Sequence, residues 1–324
     1  MPEFIVQPYA ASDRERWDSF VDNSKNGTFL LRRNFMEYHA DRFMDASTIV
    51  TNEQGKLLAL FPANLDGSTL ASHGGLTYGG MICDQTMGAP AAIDIFAAWF
   101  AYWTSRGVAA IIYKSVPPFY HVMPADEDRY ALFHHGAELY RCDVTSVVDL
   151  NHQGPVQARR QRGARKAKKA GLVVRESDDF SDFHEVVSHN LMARHQRRPV
   201  HTADELRLLQ SRFPVNIRLF AVYAGDALLA GTLLFFCGQA IHAQYIASRD
   251  EAREQGALDL LFLSLIDTFR GSARFFDFGN SNEQEGQYLN RGLCEFKEGF
   301  GARSIVQDFF RIDLGKWNER AENV

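Results

Sequence analysis

Polar side chains that interrupt apolar strands are the first place to look for chemistry in this 324-residue chain. His242 and Tyr245 interrupt the apolar stretch from Ile241 to Ala247, Asp277 interrupts Arg274 to Phe278, and Ser281 and Glu283 follow closely. These are groups that accept or relay protons. From Gln284 to Gly299 the sequence predicts a helix, in which Leu289, Leu293, Phe296 and Phe300 bury one face, while Asn290 and Lys297, seven apart, share a stripe at its edge. A lysine there either lays its stem on apolar surface with its head in water or meets a negative charge. Arg194, His195 and His201 lie around a loop between two helices and could reach a polar ligand.

A second feature is electrostatic. Arg159, Arg160, Arg162, Arg165, Lys166, Lys168 and Lys169 crowd one helix, and no acid occurs from Asn151 to Val174. The net charge is −5, so the rest of the chain carries −12. The helix's apolar positions are mostly alanines, which offer little burial to offset the repulsion. An anionic partner would relieve it, through the phosphates of a nucleotide, coenzyme A or an RNA end, with Arg162, Arg165 and Lys169 as contacts. A solvated face screened by salt and the acidic remainder is the plainer alternative.

Other near matches fail on geometry. His184-Glu185 with His189 places the two imidazoles five residues apart, about 140° round a helix, too far for one metal. Gly299-Phe300-Gly301 sits between helix and strand, the wrong order for a dinucleotide site, and the glycine pairs in Ser72 to Gly80 read as a bulged strand. The four cysteines lie 59, 95 and 57 positions apart with no C-x-x-C pair, so structural thiols and no metal are expected.

The elements that must position these groups follow from composition and periodicity. Hydrophobic residues make up 46% and charged residues 23%, which excludes a disordered chain, and the length predicts two domains. The start has no signal-peptide pattern and no apolar run is long enough to span a bilayer, so a cytoplasmic protein is expected. The sequence predicts strand, two helices, three strands, helix, strand, helix, strand, and then the same order again. This is an α/β fold with a mixed sheet built by internal duplication, with domains at 1–152 and 153–324 and the join near Asn151 to Pro155.

That order resembles the GNAT acyltransferase superfamily, and its doubling resembles the tandem-GNAT, FemAB-like branch. RRQRGARKAKKAGLVVRES at the head of the second repeat and Gly292 to Ala302, GLCEFKEGFGA, are similar to segments of that branch. The resemblance implies transfer of an acyl or aminoacyl group to an amine, with acyl-CoA or aminoacyl-tRNA as co-substrate and no tightly bound cofactor. It also implies that the splayed fourth and fifth strands form the slot, near which His242, Asp277 and Glu283 are candidate proton acceptors. Lys297 would meet negative charge on the donor or the oxyanion, and Arg194, His201, Tyr245 and Asn290 would hold the acceptor. In GNAT proteins a Q/R-x-x-G-x-G/A turn binds the pyrophosphate; here Arg253 and Gly256 match, but Leu258 stands where a small residue belongs. The first repeat is expected to be degenerate.

The expected function is therefore N-acyl transfer to the amine of a sugar or other cell-envelope precursor, such as a nucleotide-linked amino sugar, with tRNA as a further partner. An acyl-CoA-dependent acetyltransferase of a small amine and a non-catalytic RNA- or nucleotide-binding module are the alternatives. If the basic helix holds phosphates, replacing Arg162, Arg165 and Lys169 together with Gln should raise KM and flatten its salt dependence with the fold intact. Steady-state kinetics across a salt series measure this, and an unchanged KM would return the helix to solvent.

Overall fold

The computed structural model describes residues 4–321 and divides into two compact units, Met1–Asp143 with Val306–Val324, and Val144–Ile305. This differs from the division at residue 152 read from the sequence. The chain leaves the first unit earlier, within a strand, and returns to it within its last strand.

The first stretch carries β1 (Phe4–Pro8), α1 (Arg14–Asn23), α2 (Arg33–Met36), β2 (Met44–Asp45), β3 (Thr48–Asn52), β4 (Leu57–Phe61), β5 (Asn64–Asp66) and β6 (Thr69–Ala71). It continues through β7 (Ile82–Cys83), α3 (Ala89–Thr104), β8 (Ala110–Lys114), α4 (Glu127–His134) and β9 (Glu138–Asp149). Strands β1, β3, β4 and β7 form an antiparallel sheet. Helix α3 is apolar nearly all round because it is buried, with Ile95, Phe96, Trp99 and Phe100 in the core; Trp99 stacks on Phe61 with ring centroids 4.2 Å apart. Ile312 and Leu314 join the same cluster, and Phe309–Asp313 pair antiparallel with β8. The C-terminal strand thus fills this core, which is why it does not count with the second repeat.

The second stretch runs α5 (Ala158–Lys169), β10 (Val173–Ser177), α6 (Phe180–His195), α7 (Ala203–Arg212), β11 (Ile217–Ala224), β12 (Ala227–Cys237) and β13 (Ala240–Ser248). Then follow α8 (Asp250–Gln255), α9 (Ala257–Phe269), β14 (Phe275–Asn280), β15 (Asn282–Glu283), β16 (Tyr288–Leu289), α10 (Arg291–Glu298), β17 (Arg303–Asp313) and α11 (Leu314–Ala321). Strands β10 to β13 are antiparallel neighbours, as their short turns predict. The capping box at α7 is present: Thr202 Oγ1 accepts from the Glu205 amide at 3.1 Å, and the Thr202 amide donates to Glu205 Oε2 at 2.7 Å.

Two departures shape the site. The predicted helix from Gln284 is instead the β15–β16 hairpin followed by α10. Gln284, Glu285 and Gly286 all have positive φ, which no helix tolerates, and the Asn290 side chain caps α10 by accepting from the Leu293 amide at 3.0 Å. The segment before Gly256 is the short helix α8, and Gly256 (φ 79°) separates it from α9.

Helix α5 lies directly against the start of α9. A Cβ on Gly256 would stand 2.4 Å from the Gly163 carbonyl oxygen, and Gly256 also needs its left-handed conformation. Gly256→Ala should therefore cost about 2 kcal/mol or more, counting backbone strain alone at roughly 1–2. Thermal unfolding should show a drop of at least about 4 °C; an unchanged Tm would mean that the helices slide apart freely.

Candidate active site

The chemistry of the second unit is organised where two strands part. Parallel pairing of β13 and β14 covers Ala240↔Phe275, Ile241↔Phe276 and His242↔Asp277, and stops there, although β13 runs on to Ser248 and β14 to Asn280. Ile241, Ala243, Phe276 and Phe278 belong to the core cluster that includes α9, so by strand alternation His242 and Asp277 face the other side. An extra residue in β13, Gln244, bulges between Ala243↔Leu234 and Tyr245↔Leu233, which puts Tyr245 on the same side as His242.

At the last paired position His242 Nδ1 lies 2.7 Å from Asp277 Oδ2. Asp277 also accepts from Thr145 Oγ1 and from the Gly279 amide at 2.8 Å. Burial by itself would raise this carboxyl, but the His242 charge and these hydrogen bonds outweigh it and hold its pKa below the ordinary value. An ionised Asp277 can only accept, so Nδ1 carries a proton, and the lone pair of the neutral imidazole lies on Nε2. Next along the face, Tyr245 Oη lies 2.7 Å from His201 Nδ1, and burial raises its pKa. Arg194 lies on α6, with its side chain outside the described residues.

Lys297 does not sit at an apolar edge as its spacing suggested. It is 1% exposed, and its Nζ donates to the carbonyls of Gly279 (2.8 Å) and Asn280, the two residues that end β14. Burial pushes its pKa down to about 8, against the opposing pull of Asp277. It bonds backbone carbonyls that the departing strand leaves behind. Asn190 does the same for β13, its amide donating to the Ser248 carbonyl at 3.0 Å and accepting from the Ser248 amide at 3.1 Å.

Beyond the parting lies a cleft of about 720 Å³ with an apolar wall of Ile246, Leu258, Leu293 and Phe296. It gathers four of the sequence candidates, Arg253, Gly256, Glu283 and Asn290. Glu283 Oε1 accepts from Asn290 Nδ2 at 2.7 Å, and Arg253 pairs with Asp250 at 3.2 Å. Arg160 and Asp259, which sequence reasoning passed over, also line it, joined by a 2.9 Å ion pair, with the guanidinium 4.4 Å from the Phe296 ring centroid. The signal for Arg160 was available: with Gly163, Ala164 and Ala167 it forms the helical stripe that meets α9. Arg162, Arg165 and Lys169 lie about 180° round the helix and are exposed, turned away from α9. Thr145 carried no sequence signal at all.

Two parallel strands that part beside a buried helix, with a bulge at the opening, are the arrangement of the GNAT fold. Residues 157–297 match the family described as acetyltransferase (GNAT) domain. No curated protein matches the sequence. Among solved structures the fold is similar to FemX (14% identity, TM-score 0.66, covering 94% of this chain and 96% of that one). It is also similar to the C-terminal domain of a protein assigned as a lysylphosphatidylglycerol synthetase from Agrobacterium fabrum (15%, 0.63, 94% and 92%). A third is a tandem GNAT protein from the clavulanic acid biosynthesis pathway (13%, 0.53, 96% and 99%). Residues 157–297 carry a GNAT acyltransferase domain, and the fold of the chain is similar to that of FemX and of a tandem GNAT protein.

Lys297→Met would delete a buried ammonium and leave two carbonyls without their donor. Each unsatisfied buried group costs about 1–3 kcal/mol, so the variant should lose roughly 2–6 kcal/mol and unfold at least about 4 °C lower. A melting temperature equal to wild type would show that water replaces the ammonium at no cost.

Proposed function

We propose that the protein is an N-acyltransferase that passes an acyl or aminoacyl group to the amine of a sugar or other cell-envelope precursor, with His242 as general base. The observation that carries this reading is the His242–Asp277 pair at the point where β13 and β14 part. The acceptor amine arrives as an ammonium. Nε2 of His242 takes one of its protons, and the nitrogen attacks the acyl carbon. The tetrahedral intermediate then expels the leaving sulfur or oxygen, which takes a proton back from the imidazolium, and the second proton lost by the nitrogen goes to solvent. Asp277 does not titrate in this scheme. It orients the ring and stabilises the charge that His242 acquires, in the way a carboxylate serves a histidine in hydrolytic triads.

Glu283, aligned by Asn290 on the cleft wall, is suited to hold an ammonium, and the His201–Tyr245 pair continues the polar face beyond His242. Acceptor placement by such groups supplies proximity, which accounts for much of the acceleration when no covalent intermediate forms. The cell-envelope acceptor rests on fold likeness to FemX and to a protein whose name refers to lysylphosphatidylglycerol. A small amine or a nucleotide-linked amino sugar fits the chemistry of the cleft. The donor is an acyl thioester such as acyl-CoA or an aminoacyl ester, and the exposed stripe of Arg162, Arg165 and Lys169 is suited to a large anion such as tRNA.

His242→Gln keeps the size and polarity of the side chain and removes the base. It should lower kcat by about 10²- to 10⁴-fold with little change in the acceptor's KM. Asp277→Asn should also lower kcat, with rescue by Asp277→Glu partial at best. Single-turnover kinetics with a competent donor would test both; a His242→Gln enzyme as fast as wild type would end this assignment.

A further inference from the structure

The two oxygens of Asp277 are put to different uses. Oδ2 meets His242 Nδ1 at 2.7 Å, while Oδ1 accepts from Thr145 Oγ1 and from the Gly279 amide, the latter at 2.8 Å. The terminal torsion of an aspartate is soft, so the direction of Oδ2 depends on what holds Oδ1. Gly279 belongs to the same strand, two residues on, and moves with Asp277. Thr145 comes from a different strand, β9, which pairs antiparallel with β14, and it is 5% exposed. Between the pairs Asp277↔Val147 and Asn280↔Thr145, β14 carries one residue more than β9. Strand alternation along β9 puts Thr145 on the face of Val147, and hence of Asp277, and the bulge in β14 lets its hydroxyl reach Oδ1. A β-branched side chain has few rotamers, so that hydroxyl is aimed before any reactant arrives.

We propose that Thr145 is a positioning residue for the reaction: its hydroxyl, fixed on a neighbouring strand, anchors Oδ1 so that Oδ2 stays on Nδ1 of His242 and the lone pair of the neutral ring stays on Nε2. The inference rests on the reading of His242 as general base. The hydrogen bond at one ring nitrogen sets the tautomer, and Thr145 acts on it through Asp277. Without the hydroxyl, Oδ1 loses a donor in a place where burial by itself favours the protonated acid. A protonated Asp277 can donate to Nδ1, and the ring proton then sits on Nε2, which can no longer take one from an ammonium. His242 from β13 and Lys297 from α10 act on Asp277 through their charges, and a change at Thr145 leaves both in place. Valine has the shape of threonine without the donor, and serine has the donor without the second branch.

The test is NMR of the imidazole nitrogens in the full chain, isotope-labelled at histidine, at a pH where the His242 ring is neutral. Its signals are assigned by their loss in His242→Gln. Wild type and Thr145→Ser should show Nδ1 protonated and Nε2 bare. Thr145→Val should populate the Nε2–H form at least about tenfold more than wild type, in line with loss of a hydrogen bond to a charged group. With a competent donor its kcat should fall about tenfold at unchanged acceptor KM, and Thr145→Ser should recover most of the rate. A folded Thr145→Val protein with the wild-type His242 signals would overturn the proposal. So would a lower Tm with kcat unchanged, which is all that a residue supporting the sheet would produce; Thr145→Ala is read in the same way if the valine variant does not fold. The tautomer is read without substrate, so a failure here leaves the His242→Gln result standing, whereas an unimpaired His242→Gln enzyme would overturn both.

Discussion

Strands that stop pairing inside a protein leave amides and carbonyls that must be bonded again, and the second unit is arranged around this demand. Past His242↔Asp277 each of the two strands finds a substitute neighbour. The carbonyls of Gly279 and Asn280 take the Lys297 ammonium, the Gly279 amide takes Asp277, and the Ser248 backbone takes the side-chain amide of Asn190. The opening is held apart by specific polar side chains drawn from α6 and α10, which is what a slot for a reactant requires. The same arrangement explains why Asp277 can be ionised while buried: three donors converge on it.

Close helix contact is the second constraint. The stripe of Arg160, Gly163, Ala164 and Ala167 lets α5 approach α9 nearly to backbone contact, and one cation of the basic cluster is thereby turned inward while Arg162, Arg165 and Lys169 stay in water. A single helix divides its charge between two tasks. The inward arginine is sandwiched with Phe296 and paired with Asp259, and the outward ones keep the long range of unpaired charges.

Much of this was legible in the sequence, and the failures have physical causes. His242 and Asp277 stood out because each is an ionisable group within an apolar strand, and such groups are kept only with partners. The doubling of the element order was legible because each unit repeats the same periodicities. The surroundings of Lys297 differ from the sequence reading because of the hairpin before it: positive φ at Gln284 and Glu285 has no mark in residue type, so a helical period extends back across a turn. Asn290 consequently looked like a stripe residue, whereas it is a cap. The basic helix was read as a sum of charges, when the alanines and glycine among them already said which side was buried. The return of the last strand to the first unit could not be read locally, because an apolar strand does not name the sheet it joins.

That return bears on how the protein emerges from a ribosome. The second unit is one continuous segment, whereas the first is completed only by residues from Val306 onward. Synthesis runs from the N-terminus, so the unit that begins first must finish last. Until Ile312 and Leu314 are made, the face of α3 and β8 that they cover has no lasting partner, and an apolar surface waits through the translation of some 160 intervening residues. A pause or truncation late in the message would therefore leave the earlier-made half, and not the later one, open to aggregation and proteolysis.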